Sequence, residues 1–252
     1  ILGGGLVSII NSKINGTGDT SGEQTDRFWF WQRLGMYLIA RPVIFFAGFT
    51  SFNRRKHKVS DFLPDYEKYE EKMANVRAPI QICNHLTIID VFFHLAHIKD
   101  VPCFLAMESV AGFPVVGLVA KVIQTVFTKR GDEASKVWTL DRITERCKWV
   151  LEGKNFPPML IYPEGGINNG KDLMNFKRGA FGDEVPLKIF MVETWALKGG
   201  QEPSWNLLGE LQTLSLLLTG YYGITIHEFD NFDPLYSVEK RGLKPGHEDN
   251  WK

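Results

Sequence analysis

Residues 78–97 read Ala78-Pro79-Ile80-Gln81-Ile82-Cys83-Asn84-His85-Leu86-Thr87-Ile88-Ile89-Asp90-Val91-Phe92-Phe93-His94-Leu95-Ala96-His97. Residues 78–83 form a short β-type run, and an apolar helical run follows through Phe92, Phe93, Leu95 and Ala96. Between them lies a polar junction. The stretch is therefore a strand, a tight turn and a helix start, the unit from which α/β sheets are assembled.

The junction holds two groups capable of proton chemistry, His85 and Asp90, five positions apart. On a continuous helix that spacing sets them about 140° apart, unable to face each other. A helix that starts near Thr87 changes the geometry. His85 then lies in the preceding loop and Asp90 in the first turn, and the carboxylate can accept from one imidazole nitrogen. The other nitrogen would be left as a base of fixed tautomer. Thr87-x-x-Asp90 also fits a capping box, in which Asp90 is only a helix-start residue. Spacing alone leaves both readings open. His94 and His97, on the apolar helix, read as packing residues.

Outward from this unit, strand-like runs at 79–83, 102–106, 124–128, 158–162, 187–193 and 222–228 alternate with helical runs at 88–98, 113–122, 134–152 and 204–218. The alternation predicts an α/β fold with a mixed, largely parallel sheet flanked by helices. Two further strand ends carry polar chemistry. Tyr162-Pro163-Glu164-Gly165-Gly166 sets a carboxylate beside glycine backbone, a cradle for a phosphate or oxyanion. Phe127-Thr128-Lys129-Arg130 ends another strand with two cations, and Phe176-Lys177-Arg178-Gly179 adds charge on a turn. Each alone reads as an ordinary polar turn; together they predict a crevice along one sheet edge.

The N-terminal part differs in character. Residues 27–58 hold nine aromatics, seven Lys or Arg and no acidic residue. The cleanest apolar run, 34–49, is 16 residues, or about 24 Å of helix against a hydrocarbon core of about 30 Å. Arg41 near its middle and Pro42 beside it argue against a simple span. A re-entrant or in-plane helical pair fits better, with aromatics at the acyl boundary and the basic cluster 54–58 among anionic headgroups. Packing of these helices on a soluble domain is the competing reading. The chain thus divides into a flexible leader (1–26), a membrane-associated helical segment (27–58), a core (59–195) and a C-terminal extension (196–252) that completes or covers it.

Composition adds bounds. The 252 residues suffice for one sizeable α/β domain with an appendage, and 44% are apolar. Basic and acidic residues balance at 29 each, which removes a global argument for nucleic acid. Cys83, Cys103 and Cys147 lack CxxC spacing and read as free thiols or small buried hydrophobes. The histidines form no ligand pattern, so no metal is expected.

Asn84-His85-x4-Asp90 resembles the HX4D motif of the glycerol-3-phosphate and lysophospholipid acyltransferases, the first of four ordered blocks in that family. Phe127-x-x-Arg130 resembles the second, Tyr162-Pro163-Glu164-Gly165 the third, and Val185-Pro186-Leu187 the fourth. The resemblance covers residues 28–195. It implies transfer of a fatty acyl group from acyl-CoA, as co-substrate with no further cofactor, to a hydroxyl of a lysophospholipid or glycerol phosphate. His85 would be the base and Asp90 its partner. Arg130 would hold the acceptor phosphate, with Asn84, Phe127, Glu164, Gly165, Lys177 and Pro186 on the substrates. A membrane address follows, endoplasmic reticulum or mitochondrial. In two places the chain departs from the family pattern: Gly166 stands where the third block has Thr, and Gln124 where the second has Gly. These leave open an alternative, a non-catalytic lipid-holding subunit with protein partners in a membrane assembly.

Overall fold

A computed structural model describes residues 23–24, 26–87, 89–112, 116–129, 131, 133–181, 184–197 and 220–240. The helical run expected at 204–218, most of the 1–26 leader and Arg130 lie outside these residues. The elements are α1 (Asp26–Phe46), β1 (Phe49–His57), α2 (Glu67–Met73), β2 (Ile80–Cys83), α3 (Asp90–His97), β3 (Cys103–Met107), α4 (Val116–Val122), β4 (Val126–Thr128), α5 (Glu133–Leu151), β5 (Met159–Ile161), β6 (Leu187–Ala196), β7 (Tyr222–Phe232) and α6 (Leu235–Lys240).

The strands form one sheet in the order β1-β7-β6-β2-β5-β3-β4. Strands β6, β2, β5, β3 and β4 run parallel, as the alternation with helices predicts. β7 is antiparallel to β6, and β1 is parallel to β7. β6 pairs with β2 from Leu187 opposite Ile80 to Phe190 opposite Cys83, then continues alone with β7 to Ala196 opposite Tyr222. The β6-β7-β1 ribbon therefore overhangs the C-terminal end of β2 by six residues, from Phe190 to Ala196, roughly 20 Å.

Two apolar layers hold the sheet. On one face Cys83, Phe104, Leu160, Phe190, Val192, Ile224 and Ile226 pack under α1 and α3, through Met36, Ala40, Ile44 and Phe93. On the other, Ile80, Ile82, Cys103, Met159 and Leu187 pack against Ile143 and Cys147 of α5. All three cysteines are free and buried.

The N-terminal segment corrects the expectation of a helical pair across 27–58. α1 is one helix with Pro42 inside it, buried along the stripe Gln32, Met36, Ala40 and Ile44. Residues 49–57 are a strand, because their backbone finds a ladder along β7 from Phe49 to His57. The basic cluster is therefore not a loop: Arg54 to His57 belong to the sheet edge, where charged side chains guard against further pairing. With β1 and β7 in the sheet, the sheet crosses both expected boundaries of the 59–195 core. Among the described residues no helix is long and apolar enough to cross a membrane.

Candidate active site

The C-terminal ends of β2, β3, β4 and β5 share one edge of the sheet. β2 stops at Cys83, and the side chain of Asn84 takes over its ladder. Asn84 Nδ2 donates to Val192 O (2.9 Å), and Oδ1 accepts from Val192 N–H (2.8 Å). Both ends of the amide thus bond β6, so Asn84 fixes the position of the next residue.

Downstream the chain folds back on itself. Asp90, the first residue of α3, is fully buried, and Oδ2 lies 2.8 Å from His85 Nδ1. The same oxygen accepts from Leu86 N–H (2.6 Å) and Thr87 N–H (3.1 Å), while Oδ1 accepts from the Thr87 hydroxyl (2.8 Å). Thr87 Oγ1 in turn accepts from Ile89 N–H (3.1 Å). Four donors compensate the burial of this carboxylate. The arrangement sets Nδ1–H toward Asp90 and leaves Nε2 as the acceptor nitrogen. The His85 side chain is 21% exposed, and Nε2 makes no hydrogen bond to a described residue.

The loop after β5 clamps the backbone of His85. Buried Glu164 accepts from His85 N–H (3.4 Å), Met174 N–H (3.0 Å) and the Asn168 amide. Asn168 N–H donates to His85 O at 2.8 Å. Glu164 is therefore a loop-locking residue, not an exposed substrate ligand. Gly165 sits at φ +67° with its N–H turned back to Tyr162 O (3.0 Å), so this N–H is not an oxyanion donor. The Lys177 side chain crosses Gly165 where a Cβ would be, which brings a cation to this loop. Gly166 is open: a Cβ there would meet only Met174, at 3.8 Å, so no close packing requires a glycine here.

Beneath the dyad, the Tyr162 ring stacks on His85 (centroids 4.2 Å, 15°). Burial, then the Asp90 charge, push the Tyr162 phenol well above its ordinary range, and it stays neutral. His94, one turn after Asp90, is fully buried against Tyr162 and Phe190, with both ring nitrogens unpartnered. Burial pulls its pKa down to about 4, against the opposing pull of Asp90. Burial likewise raises the Cys83 thiol well above its usual range, so it is no nucleophile. Neither Tyr162 nor Asn168 was singled out from the sequence as a site residue. Their signal was present, since Asn168 lies four after Glu164 and Tyr162 immediately precedes the third block's Pro163-Glu164.

Other expected residues lie farther away. Phe127 is on β4, three strands from β2, or about 14 Å across the sheet. Pro186 precedes Leu187, which pairs with Ile80 at the N-terminal end of β2. It therefore sits at the opposite edge from His85, because β6 runs parallel to β2. Gln124 explains its own departure from the family pattern. Its φ is +60°, a conformation that favours Gly, and its Oε1 accepts from the buried Arg146 guanidinium at 2.6 Å. Among the described residues no group of three His, Cys, Asp or Glu could hold a metal ion.

The acyltransferase family model matches residues 66–188. Lysophospholipid acyltransferase LPEAT2 of Arabidopsis thaliana is 26% identical over 164 residues, 65% of this chain and 29% of that protein. Mouse lysophosphatidylcholine acyltransferase 2B is 30% identical over 192 residues, 73% of this chain and 32% of that protein. The structure of PlsC, the 1-acyl-sn-glycerophosphate acyltransferase from Thermotoga maritima, superimposes with a TM-score of 0.52 at 14% identity, covering 96% of this chain and 86% of that one. This last likeness is one of fold. Residues 66–188 are thus an acyltransferase domain, and the chain spans about a third or less of the length of these curated relatives.

Proposed function

We propose that the chain transfers a fatty acyl group from acyl-CoA to a hydroxyl of a lysophospholipid or glycerol phosphate at a membrane surface. The observation that carries this reading is the 2.8 Å contact between His85 Nδ1 and Asp90 Oδ2, with Nε2 making no hydrogen bond to a described residue. The acceptor oxygen attacks the thioester carbonyl as Nε2 takes its proton. Asp90 stabilises the imidazolium. Collapse of the tetrahedral adduct breaks the C–S bond, and the imidazolium returns the proton to the departing thiolate. A thioester is already activated, so no Ser or Cys nucleophile is needed. Arg130 and Lys177 are assigned to the phosphate or developing negative charge, and Glu164 to holding the loop that leads to Lys177.

Membrane contact is supported by what surrounds this edge. α1 turns an exposed face outward, Phe30, Leu38, Ile39, Phe45 and Phe46, and its end leads into the overhanging ribbon. Tyr221, Leu173, Phe176 and Met107 are also exposed, on segments that leave the same edge. Both acyl chain and lipid acceptor partition into a bilayer, so an apolar rim beside the dyad has a physical purpose. One of the two departures behind the scaffold alternative is answered by packing, because Gln124 is tied to Arg146.

The test is release of free CoA by the purified chain from a radiolabelled acyl-CoA, with a panel of lysophospholipids and glycerol 3-phosphate as acceptors. His85→Ala and Asp90→Asn are expected to lose about a hundredfold or more, the range typical of a positioned base. Undiminished transfer by His85→Ala would sink the mechanism, and a wild-type chain inert on every acceptor would favour the scaffold.

A further inference from the structure

A cavity of ≈ 610 Å³ opens on the α1–α3 face of the sheet, floored by β1, β7, β6 and β2 where α3 has ended. No dyad residue lines it, and it lies at the far end of α3, which is eight residues or about 12 Å long. Five cations face it, Arg54, Lys56, Arg77, Lys99 and Lys188, against two carboxylates, Asp100 and Glu228, an excess of three positive charges. Arg54 and Lys188 converge on Glu228, and Arg77 grips Asp100 through two bonds of 3.1 and 2.9 Å. Lys56 and Lys99 have no carboxylate within 4.0 Å among the described residues. Gln81, 3% exposed, lines the cavity from β2; its Nε2 donates to Asp100 O at 3.4 Å, and Oε1 has no partner among the described residues.

We propose that this cavity is a second ligand site, separate from the dyad, for a phosphomonoester or diphosphate that also bears a hydroxyl or amine. The excess of three cations calls for a dianion or trianion; a single carboxylate would leave most of the field unneutralised. Lys56 and Lys99 are the charges still available, and lysine is a common point-charge partner for phosphate. The volume exceeds what a bare phosphate fills, so the ligand carries a further group. The buried acceptor of Gln81 meets a donor on that group, because a buried oxygen without one costs about 1–3 kcal/mol. Such chemistry comes from a soluble phosphate ester or from an anionic lipid headgroup.

The experiment is calorimetric titration of the full chain with pyrophosphate, glycerol 3-phosphate and adenosine 3′,5′-bisphosphate at fixed ionic strength. Sedimentation with phosphatidylcholine vesicles containing phosphatidic acid runs in parallel. Lys56 and Lys99 are exposed, so Lys56→Glu/Lys99→Glu keeps the fold. This variant should weaken pyrophosphate binding by about tenfold or more, whereas Lys177→Ala, at the dyad's edge, should leave pyrophosphate binding within about twofold. Gln81→Leu should weaken glycerol 3-phosphate and spare pyrophosphate. Loss with soluble probes assigns a soluble ester, and loss with vesicles alone a lipid headgroup; either supports the site. No binding of any probe or vesicle overturns it, as does pyrophosphate binding that survives the double reversal, vanishes with Lys177→Ala, or is matched by sulfate.

Discussion

His94 gives the most demanding test of the buried floor beneath the dyad. It is fully buried, both ring nitrogens lack partners, and burial pulls its pKa from 6.5 to about 4. The folded state therefore holds it neutral, while the unfolded chain takes up a proton below about pH 6.5. Stability is fully present above the unfolded value and is lost as pH falls toward the folded one. About 2.5 units of separation correspond to roughly 3 kcal/mol, lost at up to about 1.4 kcal/mol per pH unit. His97 is pulled to about 4 by burial and then by Arg41 and Arg54, and adds a smaller share in the same window because it is only partly buried. The assay is urea unfolding followed by tryptophan fluorescence from about pH 4.5 to 7.5, wild type beside His94→Leu. The variant should be at least as stable at neutral pH, since Leu leaves no unpaired nitrogen, and its pH slope should fall by about one proton. Parallel pH profiles for the two proteins would refute a neutral buried imidazole at this position.

Three further outcomes follow from named contacts. Gly165→Ala should cost about 1 kcal/mol from its φ of +67° and also evict the Lys177 side chain; transfer activity should drop at least about tenfold, with circular dichroism unchanged. Gln124→Gly relieves a positive φ worth about 1 kcal/mol but strands the buried Arg146 guanidinium, whose lost partner costs about 1–3 kcal/mol, so urea midpoints should fall; a more stable Gly variant contradicts this balance. Asn84→Ala removes both bonds to Val192 and should cost about 1–2 kcal/mol, with accelerated amide exchange at Val192 and reduced turnover as His85 loses its anchor.

How much of this was legible depended on whether a pattern is local. The five parallel strands were, because each is a short apolar run between helical stretches. β1 was not: Phe49-Thr50-Ser51-Phe52-Asn53-Arg54-Arg55-Lys56-His57 has no clean alternation, and its strand character comes from pairing with β7, more than 160 residues later. The aromatic and basic density that pointed to a membrane was real, but the structure divides it. Phe30, Trp31, Tyr37, Phe45 and Phe46 of α1 remain exposed, whereas Arg54 and Lys56 turn toward the cavity beyond α3. Pro186 was misplaced for a related reason. The fourth block's place in the order of motifs put it with the site, and only the register of Leu187 against Ile80 sets it at the far edge.

Asp90 is both a helix-start residue and the histidine's partner, but Thr87 is not the N-cap: α3 begins at Asp90 after Ile89, with no side-chain cap hydrogen bond. A capping residue and a histidine's partner looked like alternatives because a carboxylate was assigned a single contact. Here the helix starts at Asp90 itself, so one carboxylate gathers the loop N–H groups of Leu86 and Thr87, the Thr87 hydroxyl and His85 Nδ1. The helix start is thus what makes a fully buried carboxylate tolerable. The same loop closure turns His85 across the five-residue gap that a continuous helix could not bridge. Thr87 consequently belongs to the positioning of the base, through its N–H and hydroxyl on Asp90, and the fixed spacing between His85 and Asp90 follows from the length of loop that brings these donors and the imidazole onto one carboxylate.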